Sequence, residues 1–205
     1  MSNNKFYNKY FDLFQKQQNG LTKYFSYLTE SDELRLKTAE FVKLLKTSNT
    51  VYFSGIGKNY TIATKTANMF RSIRCSAHVL DAIDAMHGDM GMLKSNDLVI
   101  GLSRSGTTSE LINTFNYISE NFDESPNLCI IHQNEDIEQL KLDNVSYIQL
   151  PRISELDEWN LVPSMSNISM QLYLDMVAML YKEYSELTKQ KFVNSHPGGF
   201  IGHQK

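Results

Sequence analysis

The stretch from Asp97 to Ile118 constrains the fold most, because it runs an apolar strand through a hydroxyl-rich, glycine-broken turn into an amphipathic helix. Asp97-Leu98-Val99-Ile100-Gly101-Leu102 is apolar and β-branched without polar alternation, as in a parallel strand covered on both faces. Leu111, Ile112, Phe115 and Ile118 then recur at helical spacing. The intervening Ser103-Arg104-Ser105-Gly106-Thr107-Thr108-Ser109 therefore lies at a helix N-terminus, where unpaired N–H groups and the macrodipole favour a negative group. Hydroxyls and amides together suit a phosphate cradle. The same residue types also suit a plain N-cap, with Thr107 and Glu110 as a T-x-x-E capping box, and composition does not choose between them.

Four further apolar runs predict strands: Val51 to Ser54, Cys75 to Leu80, Leu128 to Ile131 and Val145 to Leu150. Between them lie a helix carrying Ile62, Ala63, Thr66, Ala67, Phe70 and Ile73, a polar segment from Asp81 to Gly91, and a short helix around Asp136 to Leu142. Strands alternating with helices in this way predict an α/β fold, a three-layer α-β-α sandwich around a five-stranded parallel sheet. Ligands in such folds bind beyond the carboxyl ends of the strands, where both glycine-bearing turns fall. Ahead of this core, a helix from about Phe6 to Leu28 is expected to break near Asn19-Gly20, and a second helix follows from Ser31 to Lys46. The aromatic face of the first reads as a docking or subunit surface. A long helix from Pro163 to Leu187 carries Met165, Ile168, Leu172, Met176, Met179 and Leu180. The expected organisation is an N-terminal helical extension over 1–48 and one domain over 49–205.

At 205 residues the chain is long enough to bury a sizeable core, and its net charge of −3 with 20 scattered Lys and Arg gives no footprint for nucleic acid or an anionic membrane. Cys75 and Cys129 sit in apolar contexts without metal-ligand or C-x-x-C spacing, as expected of buried thiols in a reducing compartment. No signal-like segment opens the chain and no run approaches the roughly 18 apolar residues of a membrane span, so a cytoplasmic location is expected.

Four places carry groups capable of chemistry. Gly55-Ile56-Gly57-Lys58 follows the first strand but matches neither dinucleotide nor P-loop spacing, which argues against a nucleotide. Lys58 falls at a helix start, where a cation is disfavoured unless an anion lies nearby; a lysine simply in water is the plainer reading. His87-Gly88-Asp89 puts an imidazole and a carboxylate in a tight turn, with no further metal ligand at a recognisable spacing. Ser154-Glu155-Leu156-Asp157-Glu158 follows the last strand, an acidic loop of the solvated kind unless one acid turns inward. His196 precedes Pro197-Gly198-Gly199, a turn able to fix its direction.

Taken in order, Gly-x-Gly-Lys, His-Gly-Asp-x-Gly-Met, Ser-x-Ser-Gly-x-x-Ser-Glu, a Glu eight residues before Pro163, and Ser-His-Pro-Gly-Gly resemble the sugar isomerase (SIS) domain from Val51 to Gly202. More narrowly the chain resembles arabinose-5-phosphate isomerases, which interconvert D-ribulose 5-phosphate and D-arabinose 5-phosphate at the start of Kdo synthesis, for lipopolysaccharide or capsule. The resemblance implies phosphate ligands at Ser103, Ser105 and Thr108, substrate contacts at Gly57 and His87, and catalytic groups at Lys58, Glu110, Glu155 and His196. It implies no required metal or cofactor, although His87 corresponds to a histidine able to join in inhibitory zinc binding.

The departures are Thr107 where the family often has Glu, Asp81 to Met86 in place of its H-P-x-E-A-x lead-in, and a divergent loop after Glu155. Many relatives continue into paired CBS modules, so a sequence ending at Lys205 is expected to be a naturally short form or a truncated one. The implied reaction is metal-independent aldose-ketose isomerisation, with burial lifting Glu155 toward neutrality as proton shuttle and His196 as acid/base. Lys58 would stabilise developing charge, assisted by Glu110. The family's habit of sharing histidines between subunits implies a homo-oligomer, a tetramer, built on the N-terminal and Met-rich helices. A phosphoheptose or hexulose 6-phosphate isomerase, or a non-catalytic sugar-phosphate sensor, are the alternatives.

Overall fold

The computed structural model describes residues 3–136 and 142–203. Strands β1 (Val51–Gly55), β2 (Ala77–Val79), β3 (Leu98–Ser103), β4 (Asn127–His132) and β5 (Val145–Gln149) form one parallel sheet in the order β2-β1-β3-β4-β5. The helices are α1 (Asn3–Glu30), α2 (Asp32–Thr47), α3 (Lys58–Ser72), α4 (Ala82–Ala85), α5 (Ser109–Asn121), α6 (Met165–Tyr184), α7 (Lys189–Asn194) and α8 (Gly199–Gly202).

Successive strand residues face opposite sides of the sheet, and both sides are apolar, as the unalternating sequence requires. Phe53, Ile100 and Ile131 pack with Tyr24, Phe41, Phe70 and Tyr173 from α1, α2, α3 and α6. Tyr52, Val99 and Ile130 pack with Ala82, Ala85, Leu111 and Phe115 from α4 and α5. The result is the expected three-layer α-β-α sandwich. Cys75 and Cys129 are free buried thiols, and burial pushes them up to about 11 and about 12.

The first helix differs from expectation, for α1 runs unbroken through Asn19 and Gly20. A side-chain carbon at Gly20 would lie 2.9 Å from Met165 Cε and 3.1 Å from Ile153 Cγ2, so glycine serves close packing here rather than a break. Beyond this crossing the earlier turns expose Phe6, Tyr7, Tyr10, Phe11 and Phe14. Ser31 caps α2 by accepting from the Leu34 N–H at 3.2 Å. β2 is shorter than the run from Cys75 to Leu80, because only Ala77 to Val79 pair with the one neighbour an edge strand has. The helix expected over Asp136 to Leu142 lies largely outside the described residues. α6 starts at Met165 rather than Pro163, and the chain resumes as α7 and α8 beyond it.

Candidate active site

The chain leaves β1 for β2 on one side and returns to β3 on the other, so the β1/β3 boundary is the switch point of the sheet, where such folds bind ligands. Gly55 pairs with Leu102, which sets the turn after β1 beside the turn after β3. On the first turn, Gly57 adopts φ +60° and Lys58 opens α3 with an exposed side chain.

The second turn is held by its own hydroxyls. The fully buried Ser103 Oγ accepts from the Gly106 N–H at 3.0 Å and lies 2.9 Å from Thr108 Oγ1 and 3.4 Å from Ser105 Oγ. Ser105 Oγ accepts from the Thr107 N–H at 3.2 Å, and Gly106 supplies the positive φ of 70° that closes the loop. From the end of β4, Gln133 N–H donates to the Arg104 carbonyl at 3.1 Å and Asn134 Nδ2 to the Ser105 carbonyl at 2.9 Å. All three hydroxyls singled out in the sequence thus converge.

The alternative reading, a capping box from Thr107 to Glu110, does not form. Thr108 is the cap residue of α5, and its side chain bonds Ser103 instead of the helix. That leaves the N-terminus of α5 without a side-chain acceptor from its cap. Glu110 is exposed in the first turn, and its own backbone N–H, then the Ser109 hydroxyl at 2.9 Å, hold its carboxyl below the usual range.

Of the acids after β5, one does turn inward. The Glu155 side chain is 0% exposed, and its Oε2 accepts from the backbone N–H of Ser164 (2.8 Å), Met165 (2.6 Å) and Ser166 (3.2 Å) and from Ser164 Oγ (3.2 Å). It fills the N-terminus of α6, which explains why that helix begins after Ser164. Arg104 Nη1 stands 3.3 Å from Oε1. Burial tends to raise this carboxyl, but the Met165 and Ser166 amides and the Arg104 guanidinium outweigh it, and the group sits below its ordinary range. The expected lift toward neutrality is therefore corrected: a carboxylate seated on a helix N-terminus is stabilised as an anion. Asp157 organises the same loop by accepting from the Trp159, Leu161 and Val162 amides.

His196 is not brought to the other candidates within one chain. Glu155 sits at the start of α6, whose 20 residues span about 30 Å. His196 lies beyond its far end, with Nδ1 2.7 Å from the Phe192 carbonyl and its ring stacked 4.2 Å from that of Phe192. Neighbouring Ser195 accepts from Arg74, which precedes β2 at the amino edge of the sheet. His87 is exposed on the turn after α4. The sequence reading missed Arg104 and Asn134; the only signal for Arg104 was a cation between two serines of an anion turn.

A doubly wound parallel α/β protein with a hydroxyl- and amide-lined turn at its switch point is the class defined so far. The SIS domain model matches residues 44–181, and the chain belongs to the SIS domain family. It is 29% identical over 191 residues, 93% of this chain and 56% of the relative, to an uncharacterized protein of Chlamydia muridarum. It is 28% identical over 160 residues, 78% of this chain and 48% of the relative, to an arabinose 5-phosphate isomerase of Salmonella typhimurium. The chain thus spans about half the length of these curated relatives. Among solved structures, an Escherichia coli CFT073 protein in complex with arabinose 5-phosphate superposes with a TM-score of 0.81 at 25% identity, covering 96% of this chain and all of that one. Among the described residues no helix is long and apolar enough to cross a membrane, and no group of three or more His, Cys, Asp or Glu is placed to hold a metal ion.

Proposed function

We propose that this chain is an aldose-ketose isomerase of a pentose 5-phosphate, interconverting D-ribulose 5-phosphate and D-arabinose 5-phosphate through an enediolate. The observation that carries the reading is the Ser103, Ser105 and Thr108 cluster at an uncapped helix N-terminus beside Lys58, supported by the likeness to the Escherichia coli protein with its bound sugar phosphate. The turn grips the phosphate, and that binding energy positions the distant reacting carbons. Glu155 takes a proton from C1 of the ketose while the electron pair moves to the carbonyl oxygen at C2. It returns the proton to C2, and a hydroxyl proton passes from O1 to O2, leaving an aldehyde at C1. Lys58 stabilises the enediolate oxygens, with Glu110 assisting, and His196 moves protons between oxygens.

Because His196 lies at the opposite edge of its own sheet, it serves the site of a second copy, and the working form is a homo-oligomer. The family resemblance points to a tetramer of this kind in the cytoplasm, feeding Kdo synthesis. Mixing Lys58→Ala with His196→Ala subunits then restores activity that neither has alone; no recovery overturns site sharing. A non-catalytic sensor is the second reading, favoured by the sealed position of Glu155. Incubation with D-ribulose 5-phosphate and separation of the aldose products decides: arabinose 5-phosphate is expected, another aldose moves the substrate, and binding without turnover means a sensor.

A further inference from the structure

Arg104 lies within the hydroxyl turn, between Ser103 and Ser105, and its guanidinium pairs with Glu155, with Nη1 3.3 Å from Oε1. Its backbone is pinned, because its own carbonyl accepts from Gln133 and the next carbonyl accepts from Asn134, so the side chain is the part free to move. That side chain is 28% exposed, whereas the carboxylate behind it is fully enclosed.

The pairing is incomplete on both sides. Arg104 Nη2 is buried with no hydrogen-bond partner, and Glu155 Oε1 has the guanidinium at 3.3 Å but no hydrogen bond. Glu155 Oε2, by contrast, has four donors. The carboxylate is therefore firmly seated through one oxygen, while the oxygen left for proton transfer is covered by a cation in a pose that strands a buried donor. Leaving an N–H unsatisfied is costly, which lowers the cost of swinging the guanidinium to a better acceptor. A dianion held by the turn to which Arg104 itself belongs would be such an acceptor.

We propose that Arg104 is a substrate-operated gate: it covers Glu155 Oε1 while the turn is empty and is drawn to the phosphate when the turn fills, uncovering the base. The proposal rests on the isomerase reading and adds to it a reason why the base is enclosed in the empty protein. Arg104 is thereby a positioning residue, acting on the reaction through Glu155. A sugar lacking the phosphate meets a closed base, and a separate dianion can open it.

The test is hydrogen exchange at C1 of unphosphorylated D-ribulose in D2O, with and without inorganic phosphite. For the wild-type protein, phosphite is expected to raise exchange by about tenfold or more, the scale of one charge-assisted hydrogen bond. In Arg104→Met the base stays uncovered, so exchange without phosphite rises and phosphite adds less than about twofold, the charge-assisted bond being gone. Full stimulation surviving in Arg104→Met, or none in a wild-type protein that turns over D-ribulose 5-phosphate, overturns the gate and leaves the isomerase reading standing. No exchange even with D-ribulose 5-phosphate sinks that reading itself. Should Arg104→Met fail to fold by circular dichroism, Arg104→Lys decides, since its shorter point charge covers Oε1 less well: phosphite-free exchange rises, and an unchanged rate counts against the gate.

Discussion

The N-termini of α5 and α6 each meet a glutamate, and they meet it differently. At α6 the carboxylate of Glu155 is enclosed and takes three backbone N–H groups on one oxygen. At α5 the cap residue Thr108 turns its hydroxyl aside to Ser103, and Glu110 lies in the open with only its own amide and Ser109 for company. Both carboxyls are held below their ordinary range, and both helices offer the same dipole. What differs is who supplies the anion. α6 is neutralised from within the chain, which gives that end of the molecule stability, whereas α5 has no side-chain acceptor from its cap, the place the proposed reading gives to an anion from outside.

The comparison breaks first at Glu155. Glu155→Ala strands the α6 amides and leaves the Arg104 charge unpaired, with an expected loss on the order of 2–4 kcal/mol in urea unfolding. Glu155→Gln keeps the shape and part of the capping, so it loses less stability while abolishing proton exchange. A loss under about 0.5 kcal/mol for Glu155→Ala, the size of an ordinary surface change, would mean the two termini do not differ in kind. Next in size is Ser103→Ala, which removes the buried acceptor of the Gly106 N–H. It is expected to cost about 1–2 kcal/mol and to weaken sugar-phosphate binding by about tenfold in calorimetry. Unaltered affinity would remove α5 from the role given to it.

The outer contrast was legible in the sequence and the inner one was not. The unalternating run from Asp97 to Leu102 and four further strand-like runs spaced by helices led to a parallel sheet, and the run of Ser and Thr between strand and helix led to the turn, because these patterns depend only on neighbours along the chain. Whether Thr107 with Glu110 caps α5 depends instead on where Ser103 stands, and that is settled by the strand-to-helix geometry. The ion pair of Arg104 with Glu155 joins residues 51 positions apart on different loops, which no local pattern encodes. Gly20 misled for the same reason: its partners Met165 and Ile153 arrive from the far end of the chain. His196 was placed by resemblance, and its separation from Glu155 by the length of α6 became visible only once that helix had a direction in space.

The finest distinction between the two glutamates lies in acid. A carboxyl whose folded pKa is depressed contributes stability that is present above its unfolded value, 4.5 for Glu, and is lost as pH falls through the lower folded value. Glu155, enclosed and paired with Arg104, should make the protein lose stability as pH drops below 4.5, and Glu155→Gln should flatten that part of the profile. Glu110 is depressed in the same direction but exposed, so solvent screens it and little stability hangs on its charge. Glu110→Gln should therefore change unfolding by less than about 0.5 kcal/mol at neutral pH and leave the acid limb where it was. The measurement is a urea midpoint taken from pH 6 down to about 3, spanning the ordinary carboxylate range. If Glu110→Gln flattens the limb as much as Glu155→Gln does, the carboxylate on α5 is doing what its counterpart on α6 does, and that N-terminus is not open for an outside anion.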